Sequence, residues 1–230
     1  MEYNEIIKKL KSLANPKNVA GMARFGLSSK KTVILGVKKP VMDKIAKSIG
    51  KDTKLALKLW DSRIYEARIL AALIAEPSII TDRQIEKWIS QFDNWGVCDN
   101  ACMNLFHKIP DVYKKAKKWA SQPKEFVRRT GFALMASLAV HDKKAPDKDF
   151  LIFSPIIKKY ATDERNYVRK AVNWALRQIG KRNKNLNKEA IKIAREILSA
   201  GRRIDSKAAR WIAGDALREL GSIAVQQRLK

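Results

Sequence analysis

Two residues near the middle of the chain, Trp95 and Asp99, have the types and spacing of a site that stabilises positive charge. A spacing of four residues places both side chains on one side of a helix, one turn apart. We predict this helix with Asp93 or Asn94 as its N-cap and an end near His107. The helix dipole favours an ionised carboxylate near its N-terminus, and an indole face attracts cations. The pair therefore suits a reaction in which positive charge develops.

The apolar stripe of this helix decides how far the pair is exposed. At about 100° per residue, Asp99 falls beyond the edge of the stripe and Trp95 at its margin. The simpler interpretation is a Trp at the edge of the core and a solvated Asp, and the pair alone does not exclude it. The stripe consists of Val97, Cys98, Ala101, Cys102, Leu105, Phe106 and Ile109.

The cysteines of that stripe, Cys98 and Cys102, are the two of the chain and lie one helical turn apart. Together with His107 and Asp99 they could be arranged around a metal ion. The spacing matches no familiar zinc pattern, so we predict that both cysteines pack in the core. The sequence also lacks a phosphate-binding loop and a nucleotide-binding glycine fingerprint. No metal or organic cofactor is predicted.

A second tryptophan, Trp174, lies off the apolar face of a predicted helix over residues 164–179. It falls roughly 120° away from the stripe, near Lys170, Arg177 and Lys181. An indole among cations is typical of a nucleic-acid contact, because the cations meet phosphates and the ring meets a sugar or base. The alternative is that Trp174 packs against a neighbouring helix, and this helix alone favours neither interpretation.

Helical periodicity dominates the chain, and some helices resemble one another. Residues 126–129 (Phe-Val-Arg-Arg) match residues 167–170 (Tyr-Val-Arg-Lys), and the Ala-Leu-Arg of 175–177 returns at 216–218. Both offsets are 41 residues (167 − 126 and 216 − 175). A period near 40 made of two helices is the signature of HEAT-like repeats, which stack into a solenoid with a concave face. Arg129 and Lys170, at equivalent positions, should then project from one face.

The predicted fold is therefore all-α, a HEAT-like helical-repeat solenoid with a basic concave face. No linker rich in Gly, Ser or Pro separates domains, so we predict one domain over residues 1–230. The β-like run of residues 32–37 has no visible partner strand, which argues against a sheet. We also expect Phe25, at a helix end, to pack against that helix.

The charge of the chain predicts its class of partner. The 48 Lys and Arg residues against 23 acidic ones give a formal net charge of +25. So large an excess predicts a polyanionic partner, with nucleic acid first and an anionic membrane surface second. No apolar run approaches about 18 residues, so no membrane span is predicted. The N-terminus lacks a signal-peptide pattern, so we expect an intracellular, cytoplasmic protein.

These residues resemble the HEAT-repeat DNA alkylation repair glycosylases, the AlkD-type family. The resemblance rests on the repeats, on Trp-x-x-x-Asp at Trp95 and Asp99, and on Lys-Ala-Val-Asn-Trp ending at Trp174. It implies that Asp99 is the catalytic carboxylate and that the two tryptophans are aromatic walls. It also implies that Arg129 contacts the DNA backbone, while Phe25 falls roughly where family members can have a Tyr.

The predicted function is hydrolysis of the N-glycosidic bond of N3- or N7-alkylated purines in double-stranded DNA. One alternative is a non-catalytic binder of damaged or branched DNA, or of RNA, and another is a scaffold for an acidic protein. We expect a monomer without an obligate protein partner, located with the chromosome. The candidate DNA-binding cations are Arg128, Arg129, Lys170, Arg177 and Lys181.

Overall fold

Fifteen α-helices and one short 3-10 helix form the regular structure of the residues described by the computed structural model, which are 1–29 and 31–229. Within these ranges the one β interaction outside the helices is an isolated bridge between Val33 and Ile64. None of the described helices is long and apolar enough to cross a membrane. The chain divides into two compact units, Met1–Pro110 and Asp111–Lys230. That all 230 residues act as one domain stays a prediction.

The first unit is built around the buried helix α5. The hydrophobic core includes the indole of Trp60, which stacks on Trp88 with ring centres 4.1 Å apart. Helices α3, α4 and α7 pack on α5. The helices of this unit are α1 Tyr3–Ser12, α2 Pro16–Arg24, α3 Lys39–Ile49, α4 Thr53–Asp61, α5 Tyr65–Ile74, α6 Asp82–Ser90 and α7 Trp95–Asn104, followed by the 3-10 helix Phe106–Lys108.

A buried carboxylate on α5 fixes the loop between α2 and α3. Glu66 accepts hydrogen bonds from the backbone N–H groups of Leu35 (3.0 Å), Gly36 (2.7 Å) and Val37 (3.2 Å). These donors compensate the cost of burying the charged group. Gly36 has a φ of +79°, and a Cβ there would lie 2.4 Å from the carbonyl oxygen of Asn15. The β-like run therefore forms a tethered loop rather than a strand of a sheet.

The second unit consists of helix pairs that repeat along the chain. The helices α9, α12 and α14 begin at residues 125, 166 and 207, so successive starts are 41 residues apart (166 − 125 and 207 − 166). This confirms the predicted period. Helix α12 packs on both α9 and α14, while α8 packs on α9, α11 on α12, and α13 on α12 and α14. The helices are α8 Val112–Ala120, α9 Glu125–His141, α10 Asp147–Leu151, α11 Ser154–Tyr160, α12 Asn166–Gly180, α13 Lys184–Arg203, α14 Lys207–Leu220 and α15 Ile223–Arg228.

The helical periodicity of residues 150–160 predicts one helix, but the structure has two, since α10 ends at Leu151 and α11 begins at Ser154. Pro155 stands in the first turn of α11. A proline there starts a helix readily but cannot donate the hydrogen bond that would continue the preceding one. The short helix α15 is absent from the sequence prediction, because six residues carry too little periodicity to be recognised.

Candidate functional site

Helix α7 begins where the sequence predicts. Asn94 is its N-cap, and its side-chain oxygen accepts a hydrogen bond of 3.0 Å from the backbone N–H of Val97. The helix ends at Asn104 rather than near His107, and a 3-10 turn follows it. All seven residues of the predicted apolar stripe are buried. The stripe therefore anchors α7 to the core and sets the orientation of Trp95 and Asp99.

Asp93 fixes the start of α7 against the preceding loop. Its carboxylate accepts hydrogen bonds from the hydroxyl groups of Ser29 and Thr32, the latter at 2.9 Å. Thr32 in turn accepts a 3.0 Å hydrogen bond from the buried guanidinium of Arg68. This network ties the first turn of α7 to the loop and to α5. Asp93 is thus a positioning group and not the N-cap.

Trp95 and Asp99 are both half-buried, so neither is sealed in the core and neither is fully solvated. Within residues 1–29 and 31–229, the Trp95 indole takes part in no hydrogen bond, ring stacking or cation contact. Cys98 and Cys102 are fully buried and form no disulfide, which confirms the prediction of core packing. The described residues include no cluster of three metal-ligating side chains.

Tyr65, the first residue of α5, is a site residue that the sequence reasoning missed. Its hydroxyl would lie 2.7 Å from a Cβ on Gly96, so only glycine leaves room for it. Burial, followed by the negative charges of Glu66 and Asp99, raises the pKa of the Tyr65 phenol above its ordinary value. The ring is 8% exposed. A neutral phenol therefore lies against α7 close enough to Asp99 to interact with its charge.

The hydroxyl of Tyr65 has no hydrogen-bond partner among the described residues. On α7, the helix that Tyr65 contacts, the side-chain oxygen of Asn100 is also buried without a partner in the described part of the chain. Polar atoms in these positions are satisfied by water or by a ligand in most proteins. The sequence feature that could have revealed Tyr65 is Gly96. A glycine in the first turn of a helix, with no local reason to be glycine, indicates that another group approaches the helix closely there.

Trp174 in the second unit is half-buried on α12. The apolar stripe of α12 is buried except for Tyr167, which is half-buried. The ring centres of Tyr167 and Phe126 are 5.3 Å apart. Nowhere in the described ranges does the Trp174 indole form a hydrogen bond, a ring contact or a cation contact. It is therefore outside the core and available, as the nucleic-acid interpretation requires.

The cations expected around Trp174 are mostly engaged in ion pairs, and their contact with DNA stays a prediction. Arg177 pairs with Asp215 at 3.4 Å and with Glu219, and Lys181 pairs with Glu219 at 2.5 Å. Both side chains belong to a ladder of contacts between α12 and α14, which joins residues 38 apart (Arg177 with Asp215, and Lys181 with Glu219) or 42 apart (Arg177 with Glu219). Their charges are compensated by α14, so they are weak candidates for phosphate binding.

The two arginines of α9 are also engaged. Arg128 forms an ion pair with Asp163 at 2.7 Å, and its guanidinium carbon lies 4.0 Å from the ring centre of Tyr160. Arg129 is 5% exposed and donates a 2.6 Å hydrogen bond to the carbonyl oxygen of Tyr167. A guanidinium buried in this way cannot meet a phosphate without rearrangement. That Arg129 contacts the DNA backbone stays a prediction, and it would require this rearrangement.

Lys170 differs from its repeat equivalent Arg129. It is exposed and forms no ion pair within residues 1–29 and 31–229. The expectation that Arg129 and Lys170 project from one face is thus not met, because one is buried and the other exposed. Of the five predicted DNA-binding cations, Lys170 is the one that the described structure leaves available.

Phe25 does not pack against its helix as expected. It is the C-cap of α2, and its side chain is 80% exposed. The buried apolar residue of this segment is Leu27, two positions further on, whose methyl group lies over Gly96. A buried leucine, and not the phenylalanine, therefore covers the start of α7.

Residues 6–220 match the protein family described as DNA alkylation repair enzyme. The uncharacterized proteins Lin0241 of Listeria innocua and Lmo0209 of Listeria monocytogenes are each 23% identical over 198 residues, covering 85% of this chain and 86% of the relative. A solved structure described as a new family related to the HEAT-like repeat DNA glycosylases, with affinity for branched DNA structures, has a TM-score of 0.75. It is 20% identical and covers 85% of this chain and 83% of its own. The predicted all-α, HEAT-like fold is confirmed.

Proposed function

Because the chain belongs to the DNA alkylation repair enzyme family, we propose that it hydrolyses the N-glycosidic bond of N3- or N7-alkylated purines in double-stranded DNA. The observation that carries this proposal is the pair on α7. Asp99 is half-buried beside a neutral phenol, and Trp95, one turn away, presents an indole without a partner in the described part of the chain. A carboxylate and an aromatic face side by side can stabilise a cation.

The chemistry needs one carboxylate and no general acid. Glycoside hydrolysis usually requires a second carboxyl group to protonate the leaving group. An N3- or N7-alkylated purine already carries a positive charge, so it departs as a neutral base with the electron pair of the C1′–N bond. Positive charge then develops on the sugar ring, and Asp99 stabilises it. A water oxygen bonds to C1′ and its proton passes to Asp99 and then to solvent, leaving an abasic sugar.

The aromatic residues bind the positive charge of the lesion and of the sugar. An indole face within about 6 Å of a cation contributes ~0.5–2 kcal/mol, with more when water is excluded. We assign Trp95 as such a face, from its exposure and from its lack of ring partners among the described residues. That Trp174 is a second aromatic wall stays a prediction.

Tyr65 acts as a positioning residue for Asp99. It is buried against Gly96 of α7, the helix that carries Asp99. In this proposal it excludes water from one side of the carboxylate. Because the phenol stays neutral, it adds no competing negative charge. Less water around Asp99 strengthens its interaction with a developing cation.

The test is release of alkylated purine from methylated duplex DNA. We expect wild-type protein to release the base and Asp99→Asn to lose at least about a hundredfold in rate, as removal of a preorganised charge-stabilising group does in other enzymes. Asp43→Asn is the matched control, because Asp43 is an exposed carboxylate of the same unit that pairs with Lys39. Equal release by wild type and Asp99→Asn would overturn the role of this carboxylate.

A second candidate function is binding of damaged or branched DNA without catalysis. The solved structure with a TM-score of 0.75 belongs to a family described by its affinity for branched DNA structures. This function predicts tight, salt-sensitive binding with no base release, and Asp99→Asn would leave the affinity unchanged. Absence of release by the wild-type protein, with retained DNA binding, would favour it over hydrolysis.

A further inference from the structure

Trp211 on α14 is an exposed aromatic residue that the proposed reaction does not use. Its side chain is 40% exposed. It is the fifth residue of α14, and Lys170 is the fifth residue of α12, so the two occupy equivalent repeat positions. Both are exposed. Successive repeats therefore present a cation and an indole at the same place on adjacent packed helices.

The side chains around Trp211 leave its ring accessible next to positive charge. The guanidinium carbon of Arg169 lies 5.3 Å from the ring centre. Gly214, three residues further along α14, is exposed, and a Cβ there would meet nothing within 4 Å. Residues three apart on a helix are neighbours. The absent side chain at Gly214 therefore leaves that side of the indole uncovered.

Arg169, whose guanidinium contacts the ring, is followed on α12 by Lys170, which occupies the equivalent position of the repeat. Neither Arg169 nor Lys170 pairs with a carboxylate among the described residues. The pKa of Glu164 is lowered chiefly by the backbone N–H of Ala208, with a smaller contribution from the charge of Arg169. The Glu164 carboxylate caps the N-terminus of α14, where it accepts hydrogen bonds from Ala208 N (3.0 Å) and Ser206 Oγ (3.1 Å).

Trp211 is an exposed indole that contacts Arg169, and Lys170 occupies the equivalent position of the adjacent helix. This is the chemistry of a single-stranded nucleic-acid site, where bases stack on the ring and phosphates meet the cations. In a continuous duplex both faces of each base are already stacked on neighbours. Only an unpaired nucleotide can offer a free face. We propose that Arg169, Lys170 and Trp211, the Trp211 patch, bind an unpaired nucleotide that flanks duplex DNA. The inference rests on the DNA binding of the proposed function and adds a second, non-catalytic contact to it.

The test compares a blunt duplex with the same duplex carrying a short single-stranded tail. We expect the wild-type protein to bind the tailed duplex about tenfold more tightly, since stacking of one base on an aromatic side chain is worth roughly that factor. Trp211→Leu keeps an apolar side chain beneath Arg169 but removes the aromatic face. It should lose the preference for the tail and bind the blunt duplex as wild type does.

Two further variants separate stacking from general apolar contact. Trp211→Phe should retain most of the preference, and Ile223→Ala, which removes another exposed apolar side chain of the second unit, should retain all of it. Thermal unfolding of each variant checks that the fold is intact. If the wild type shows no preference for the tail, or if Trp211→Leu keeps it, the proposal is overturned and Trp211 is left as a contact for a protein partner.

Base release from methylated blunt duplex reports on the catalytic proposal alone. We expect Trp211→Leu to release alkylated purine at the wild-type rate, because the patch does not take part in the reaction. Loss of tail preference with normal release therefore supports the patch. Absence of release by every variant, with a preserved tail preference, would overturn hydrolysis and leave the patch in place.

Discussion

At the scale of single residues, the organisation of the α7 site depends on the absence of one side chain. A Cβ on Gly96 would lie 2.5 Å from Leu27 Cδ1 and 2.7 Å from the Tyr65 hydroxyl. Leu27 and Tyr65 are both buried, so neither can move aside freely. Gly96 therefore sets the distance at which Tyr65 approaches the helix that carries Asp99.

Substitution of Gly96 by alanine should destabilise the protein, whereas the same change at Gly214 should stabilise it. Overpacking costs ~1–3 kcal/mol, and alanine in a helix recovers about 1 kcal/mol relative to glycine. The free energy of unfolding should thus fall by about 1 kcal/mol in Gly96→Ala. It should rise by ~0.5–1 kcal/mol in Gly214→Ala, where the space is open.

Chemical denaturation measures both changes, and base release measures the effect on Asp99. Displacement of Tyr65 should slow release in Gly96→Ala, while Gly214→Ala should release base at the wild-type rate. A stabilised Gly96→Ala variant with normal release would show that the close approach of Tyr65 has no role.

At the scale of helices, ion pairs between repeats take up most of the cations that the sequence suggests for DNA. Asn173 and Arg177 of α12 contact Asp215 and Glu219 of α14, with Asn173 Nδ2 donating to Asp215 at 2.6 Å. Burial acts to raise the pKa of Glu219, but the hydrogen bond from Lys181 and the charge of Arg177 lower it below its ordinary value. The ladder therefore stabilises the contact between the repeats.

Asp163 makes a similar contribution next to α9 and α12. Burial would raise its pKa, but hydrogen bonds from Arg165 and Arg128 outweigh burial and lower it. Both carboxylates bind protons less readily in the folded state than in the unfolded state. Their stabilising effect is complete above the ordinary pKa values and is lost as the pH falls through the lowered ones.

We therefore expect the free energy of unfolding to decrease as the pH falls below about 4.5, the ordinary pKa of a glutamate. Glu219→Gln should cost stability at neutral pH and make the acid dependence shallower, because one of the titrating groups is gone. Denaturation measured at a series of pH values tests this.

Glu196→Gln is the control for this series, since the ion pair of Glu196 with Lys158 is exposed and contributes little. The same stability as wild type at neutral pH in Glu219→Gln would contradict the structural role of the ladder.

At the scale of the whole molecule, the formal net charge of +25 is the property that most restricts the partner. The engaged arginines still contribute to the long-range potential of the protein, although they are weak candidates for direct phosphate contact. Association with a polyanion is steered by that potential and is screened by salt. The charge thus accounts for affinity, while the uncharged faces of the tryptophans account for contacts with sugars and bases.

Binding to duplex DNA should weaken steeply as salt is added. Each phosphate contact contributes about −0.9 to the slope of log K against log salt, so six contacts would give a slope of about −5. Lys170→Gln should reduce the magnitude of the slope by about 1 without affecting sequence preference. Fluorescence anisotropy at several salt concentrations measures both slopes. A slope near zero would exclude nucleic acid as the main partner and favour an acidic protein.

The sequence by itself determined the elements and their repeat. Helical periodicity depends on neighbours three and four residues apart, so it is readable from the chain, and the 41-residue spacing of α9, α12 and α14 follows from it. The same local rule placed Trp95, Asp99 and Trp174 outside the apolar stripes, where the structure has them half-buried.

Only the tertiary structure decided which charges are available and what lies against Asp99. The charge of Arg177 is compensated by Glu219 of α14, 42 residues away, and Tyr65 of α5 packs against Gly96 of α7. Arg129 and Lys170 occupy the same repeat position but differ in burial, because the helices that pack around them differ. Contacts between residues so distant in sequence depend on how helices pack, and no local pattern in the chain encodes them.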